Sequence, residues 1–230
     1  MSVNAIISYD DTLNDQDALA LGRVLATAGT DLTLAYIRHT TQIERSREEL
    51  EEHDAESLLE RGARWLGDLQ VPRRVVVSAS TAEGLKWLAK QDRADLVVFG
   101  SDYRTAPGHV APQRSAESLL DGGPVAVAIA PANYRSKRTP EIHTVGILAG
   151  DWDHAALITA RELAHALGAE LISNEYGTDV LIVGSRPEAQ PGRVMVSARA
   201  QNAIEDGRAP VIVVPRGVVL HFTERSFAAA

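Results

Sequence analysis

Short apolar runs alternate along the chain with longer stretches in which apolar residues recur every three or four positions. These are the periods of buried strand and amphipathic helix. Residues 3–9 form the first strand-like run and end at Asp10-Asp11. A helix to about Ala28 follows, with Asn14 or Asp15 as its cap and Leu21, Val24, Leu25 and Ala28 on one face. Gly29 stops it, and residues 32–37 give a second strand. Residues 41–69 are dense in Glu and Arg but keep one apolar stripe through Ile43, Leu50, Leu58, Leu59, Trp65 and Leu66. That pattern predicts a long amphipathic helix, closed by Pro72, with a solvated acidic face from Glu44 to Glu60. A strand at 74–78, a short helix capped by Thr81, and a strand at 96–99 running into Gly100-Ser101 come next. A Pro/Gly loop at 102–113, a helix at 115–120 and a strand at 125–130 complete the series. Strands alternating with helices predict βαβ units and a parallel sheet.

The pattern restarts after a polar, basic stretch at 131–140. A strand at 144–149, a helix at 155–167, a strand at 179–183, a helix at 198–205 and a strand at 211–214 follow in order. The residues repeat as well as the pattern. Asp95-Leu-Val-Val-Phe-Gly-Ser is similar to Asp179-Val-Leu-Ile-Val-Gly-Ser, and without a gap Pro107-Gly108 then falls on Pro191-Gly192 and Val110 on Val194. Ala18-Leu19 and Arg23 match Ala156-Leu157 and Arg161. The second copy is shorter, because Asp10 and Gly100 lie 90 positions apart but Asp151 and Gly184 only 33. Only residues 173–178 separate Leu171-Ile172 from the Gly-Ser strand, too few for a parallel crossover. Leu171-Ile172 is therefore not expected to be a full strand of that sheet. The second copy is expected to be a three-strand βαβαβ fragment that packs on the first domain or on another subunit.

Composition narrows the function. Aromatics make up 5% of the chain, so the core is built from Val, Leu, Ile and Ala, which suits strands covered by helices on both faces. A net charge of −8 argues against a nucleic-acid binder. The short run Arg135, Lys137, Arg138 reads as a solvated linker. The absence of cysteine excludes disulfides, thiolate metal sites and cysteine nucleophiles. No apolar stretch has transmembrane length, and the N-terminus lacks a signal-peptide pattern, so a cytoplasmic location without membrane partners is expected.

With these residues in place, the chain resembles the universal stress protein family. The likeness covers the whole first copy and, in shortened form, nearly all of the second. In that family an Asp ends the first strand. The fourth strand runs into a loop of Gly, two residues, Gly, nine residues, Gly-Ser/Thr, and a Pro precedes a Val-rich last strand. The counterparts here are Asp10, Gly100-Ser101, the Arg114-Ser115 pair, and Pro124 with residues 125–130. The resemblance implies an α/β domain at 1–132, a five-stranded parallel sheet with helices on both faces of the adenine nucleotide alpha hydrolase-like type. A linker at 133–142 and a truncated repeat at 143–230 follow.

The resemblance also implies a ligand, ATP or AMP, with adenosine near Asp10 and the second strand at Ile37. Its phosphates would lie on Gly100, Ser101, Arg114 and Ser115. The pattern is broken at Tyr103, which stands where the second loop glycine would be, and at Arg114, which stands at the third with one extra residue in the loop. A Tyr obstructs close approach of backbone to phosphate, whereas the Arg114 guanidinium is suited to contact phosphate itself. In the second copy Asp151, Gly184 and Ser185 match, but Arg199 replaces the Ser and the second strand that would wall the adenine is missing.

No other motif carries chemistry. Asp151-Trp152-Asp153-His154 reads as an acidic helix start, since adjacent side chains splay apart. Nucleophile-elbow, P-loop and HExxH signatures are absent. The leading reading is a non-catalytic stress-response-type protein that senses or interacts, with an adenine nucleotide as ligand. The alternative is an assembly module that binds no nucleotide and uses the truncated repeat as a pseudo-dimer partner through its last strand, 211–214, extended by Val218-Val219-Leu220. A homodimer is the intermolecular version of the same pairing. An ATP-using enzyme on a related fold is a third reading.

Overall fold

The computed structural model describes residues 2–39, 45–137, 141–150, 153–174 and 176–223. Strands β1 (Asn4–Ser8), β2 (Asp31–His39), β3 (Arg73–Ser78), β4 (Leu96–Gly100) and β5 (Ala126–Ala130) alternate with helices α1 (Leu13–Thr27), α2 (Arg45–Leu66), α3 (Thr81–Asp92) and α4 (Arg114–Leu120). Beyond them lie β6 (Thr144–Leu148), α5 (His154–Leu167), β7 (Glu170–Ile172), β8 (Val180–Gly184), α6 (Ala198–Asp206) and β9 (Val211–Val214).

Among the described residues, nine strands form one sheet in the order β3-β2-β1-β4-β5-β9-β8-β6-β7. Within each half the pairing is parallel, and only β5 and β9 run antiparallel, with Ala128 opposite Ile212. Reading β6, β7, β8 and β9 against β1, β2, β4 and β5 gives the same neighbour relations in both halves, with no counterpart of β3. The halves therefore share a sheet rather than packing face to face. Val211, Ile212, Val213 and Val214 are fully buried because β5 shields one edge of β9 and helices cover its faces. Loop contacts add to the seam: the Val194 amide donates to Gly123 O at 2.9 Å and the Gly122 amide to Val194 O at 2.8 Å.

Alternate residues of each strand feed two cores. Ile7, Val98, Ala128, Ile182 and Ile212 face α1, α2 and α5. Ile6, Val97, Phe99, Ile129, Val183 and Val213 face α3, α4 and α6. Both faces are apolar along the central strands, as a parallel sheet sandwiched by helices requires.

Four expectations are corrected. The cap of α1 is Thr12, which with Asp15 forms a capping box, and the cap of α3 is Ser80, one residue before Thr81. Leu171-Ile172 does belong to a parallel strand of the shared sheet, so the second half has four strands. A three-residue strand at the edge has only about 10 Å to retrace, which a short loop can span. The loop crosses where Gly146 of β6 has no side chain: a Cβ there would collide with the Thr178 methyl and the Asn174 carbonyl oxygen. Third, the linker is partly ordered. Residues Tyr134–Ser136 form a 3₁₀ turn, Tyr134 is buried, and Arg135 is engaged with Asp17 rather than solvated. Arg138 lies outside the described residues. Fourth, Val218-Val219-Leu220 does not extend β9, because Pro215 and Gly217, at φ 72°, turn the chain away. The tail crosses α5, where the Leu220 amide donates to Thr159 Oγ1 at 3.0 Å, and reaches α1, where the Thr223 amide donates to Ala28 O. Among the described residues no helix is long and apolar enough to cross a membrane.

Candidate functional site

The strand order changes direction between β1 and β4, so the crevice in which an open α/β sheet takes ligands lies at the carboxyl ends of those strands. Asp10 is exposed on the β1 side, just before the turn into α1, and its amide donates to Asp15 Oδ2 at 2.9 Å. Partial burial pushes the Asp10 carboxyl above its ordinary pKa, with His39 pulling it back and Asp11 adding to the rise. Asp15 is buried and also raised by burial, although hydrogen bonds from Thr12 and from the Asp10 amide oppose the shift. Asp11 is held down by the Tyr9 hydroxyl and the Arg61 guanidinium against its own desolvation. Ile37 sits near the end of β2, in register with Val76 of β3, with its side chain turned into the core against Gly84 of α3.

Gly100 and Ser101 are used by the protein itself. A Cβ on Gly100 would collide with the Asn14 carbonyl oxygen, so this glycine lets the first turn of α1 press onto β4. The Asn14 side-chain amide then donates to Ser101 O at 2.8 Å. The Ser101 hydroxyl is buried, donates to Ala130 O at 2.7 Å and accepts from the Ala111 amide at 3.2 Å. It ties the end of β4 to the end of β5 and to the returning loop. In the second half Ser185 does the same, donating to Val214 O at 2.6 Å and accepting from the Met195 amide at 3.2 Å.

Arg114 and Ser115 open α4, whose cap residue Gln113 makes no side-chain cap. Arg114 is exposed and lines a groove of about 630 Å³ with Asp102, Arg104, His109, Glu117 and Glu205. Tyr103, at the missing glycine position, is 72% exposed and points away as a platform for Arg104, whose guanidinium lies 4.9 Å from the ring centre. The structure thus brings Asp10, Gly100 and Ser101 to neighbouring strand ends through the first turn of α1. It sets Arg114 and Ser115 at the start of α4, with Arg114 on a groove that Asp10, Gly100 and Ser101 do not line, and leaves the Ile37 side chain in the core. Arg104, His109 and Asn14 carried no motif and were not anticipated. For Asn14, its place one turn after a strand-end Asp is the usable signal.

The equivalent crevice of the second half, about 340 Å³, is lined by Gly150, Gly184, Arg186, Ser197 and Arg199. Asp151 and Trp152 lie outside the described residues. Asp153 caps α5, accepting from the Ala156 amide at 3.2 Å. Its Oδ2 is buried without a hydrogen-bond partner, packed where a Gly184 side chain would be. Burial raises the Asp153 carboxyl above its ordinary range, and the Ala156 amide, His154 and Arg216 only partly offset this. Among the described residues no cluster of three or more His, Cys, Asp or Glu side chains is placed to hold a metal ion.

No family model matches the sequence, and no curated protein matches it. Solved structures do match. A universal stress protein from Archaeoglobus fulgidus DSM 4304 superposes with a TM-score of 0.69 at 13% identity, over 93% of this chain and 98% of that one. A functionally unknown protein from Pseudomonas aeruginosa PAO1 gives 0.58 at 13% identity, over 93% and 92% of the two chains. A provisionally named universal stress protein from Pseudomonas aeruginosa UCBPP-PA14 gives 0.57 at 14% identity, over the same shares. At these identities the likeness is one of fold. By its strand order and by these superpositions, the chain has the fold of the universal stress proteins.

Proposed function

We propose that this protein is a non-catalytic binding protein of the stress-response type that takes an adenine nucleotide at the carboxyl ends of β1, β2 and β4. Asp10 and the backbone of Ile37 stand on the adenosine side. Arg114 stands on the phosphate side with Arg104 and His109 on the same groove, and Ser115 follows it in the first turn of α4. The observation that carries the reading is Arg114, an exposed guanidinium in the first turn of α4 on the wall of that groove. It takes over from the glycine amides, because a guanidinium binds phosphate oxygens through paired, charge-assisted hydrogen bonds. Gly100 and Ser101 serve by shaping the loop, since their space and hydrogen bonds are already taken. Carboxylates of Asp102, Glu117 and Glu205 share the groove, so a monophosphate suits its charge better than a triphosphate.

Thermal unfolding of the full chain with AMP and with ATP tests this. AMP at a hundred times its dissociation constant adds about 2.7 kcal/mol of stability. Arg114→Ala removes most of that response while leaving the ligand-free midpoint unchanged. No shift at millimolar nucleotide overturns the reading.

The seam favours a second reading. In it, 1–132 and 143–230 are two copies of one unit, joined through the antiparallel pair of β5 and β9. In this reading the truncated half is a built-in partner that occupies an edge otherwise free for a second molecule. Sedimentation distinguishes it: a chain with its partner built in runs as a monomer.

A further inference from the structure

The two ends of the sheet are built differently. At one end β7 has three residues and begins with Glu170, a short, charged edge of the kind that resists further pairing. At the other end β3 has six residues, and among the described residues it pairs with β2 alone. The Leu34 amide of β2 donates to Pro72 O at 2.8 Å, and Leu34 is in register with Arg73. Backbone groups alternate sides along a strand. Those of Arg74 and Val76 therefore turn to β2, and those of Val75 and Val77 turn to the open side. The register with β2 runs unbroken, and no proline interrupts the three successive valines. Nothing in this stretch guards the edge against another strand.

The side chains beside the edge are apolar and exposed. Val75 is 36% and Val77 49% exposed, on the face opposite to Val76, which is buried against α3. Trp87 of α3 is 55% exposed and follows by one turn Gly84, the glycine that packs on Ser78 of β3. Single apolar residues are ordinary on a surface, but here three flank one row of outward main-chain groups.

The edge is also complementary to itself. Place two β3 strands antiparallel about a two-fold axis at Val76, and Val75 of each copy lies opposite Val77 of the other. These are the residues whose amides and carbonyls face outward, so each such pair exchanges both of its main-chain hydrogen bonds. Arg74 falls opposite Ser78 and Arg73 opposite Ala79, so no arginine meets another. A parallel pair in register would set arginine beside arginine.

We propose that β3 is a homodimerisation edge, through which two copies of this chain pair antiparallel about Val76 and continue one sheet into the other. Val75 and Val77 of both copies form an apolar strip on one face, and the two Val76 side chains meet on the other. The edge of β5 takes no part, because β9 already lies on it.

Sedimentation equilibrium of the full chain over a range of concentrations tests the proposal. The chain associates to a dimer and no further, since a two-fold contact occupies the edge of both partners. Val77→Lys brings a charge into the contact twice and weakens dimerisation at least about a hundredfold. Val77 is half exposed in the monomer, so the variant keeps its fold. Val77→Thr, which is also β-branched, keeps the dimer. The chain has no cysteine, so crosslinking reads the register. Val75→Cys mixed with Val77→Cys gives a disulfide-linked heterodimer on mild oxidation, in preference to either variant with itself, because only opposed residues come within disulfide reach. A chain that stays monomeric overturns the proposal and leaves the edge to a strand of another protein. So does a dimer that survives Val77→Lys, or crosslinking with no preference for the mixed pair. The seam reading is tested separately in Val77→Lys, where the β3 edge is blocked and a built-in partner at β5 gives a monomer.

Discussion

The Arg135 guanidinium reaches a carboxylate that solvent does not touch: its Nη1 lies 2.9 Å from Oδ2 of Asp17, a residue of α1 that is 0% exposed. The same carboxylate accepts from the amides of Asn133 and Arg135, each at 2.8 Å. One buried acid on the first helix therefore fixes the chain as it leaves β5 for the second half. A buried charge is tolerated only when paired and fully hydrogen-bonded, and removing its partners leaves the penalty uncompensated. Asp17→Ala is expected to lose the three-residue anchor and destabilise by about 3 kcal/mol or more. Arg135→Ala keeps both amide donors but leaves the buried carboxylate without a counter-charge, so it too is expected to cost about 3 kcal/mol or more. Urea midpoints of the two variants check this, and a loss below about 1 kcal/mol in either would refute it.

Ser101 and Ser185 each bridge two strand ends with one hydroxyl. Ser101→Ala and Ser185→Ala each strip a donor from a buried carbonyl and an acceptor from a loop amide. Each is expected to cost about 1–3 kcal/mol. The two sites lie in different halves with no shared hydrogen-bond partner, so the double variant should lose the sum of the two. Chemical denaturation measures this, and strong non-additivity would mean that the halves transmit strain through the seam.

The edge of the second half depends on a missing side chain. Gly146→Ala places a methyl where the Asn174 carbonyl and the Thr178 side chain already sit. The loop must move, and with it β7, which holds only three register pairs with β6. The expected loss is about 1–3 kcal/mol. Hydrogen exchange should show protection falling first at residues 170–172, while β8 and β9 keep theirs.

Asp153 sets a pH dependence whose sign follows from its burial. Its folded-state pKa is raised above the ordinary value of 3.8, so the folded protein holds the proton more tightly. The stability gained from that proton is fully present below pH 3.8 and is lost as pH rises through the raised pKa. Asparagine keeps the cap on α5 but has no proton to lose. Asp153→Asn is therefore expected to be more stable than the parent at neutral pH, with the difference shrinking as the pH approaches 3.8. Paired thermal melts across that range test it, and a difference that grows on acidification contradicts the sign.

Much of this architecture was legible before any coordinates. Among the described residues, the periods of two and of three to four placed the six α-helices and eight of the nine strands. The strand missed was β7, where only the loop length was weighed. A crossover is short when its strand is short, and Gly146 opened a path that no local pattern announces. At the candidate site the motif residues were found, but their duties were not. Gly100 faces the Asn14 carbonyl, and the Ser101 hydroxyl is spent on Ala130. A glycine at a strand end looks alike in sequence whether helix or ligand fills the space beside it.

The sequence by itself determined the local elements, their alternation and the two-part order, because these follow from the spacing of apolar side chains and from turn residues along a few neighbouring positions. Only the tertiary structure decided that β5 and β9 would meet antiparallel in one sheet. It also joined Asp17 to Arg135 and closed the Ser101 and Ser185 hydroxyls onto Ala130 and Val214. Those outcomes depend on which distant surfaces exclude water from one another, and that is settled by packing across the whole chain.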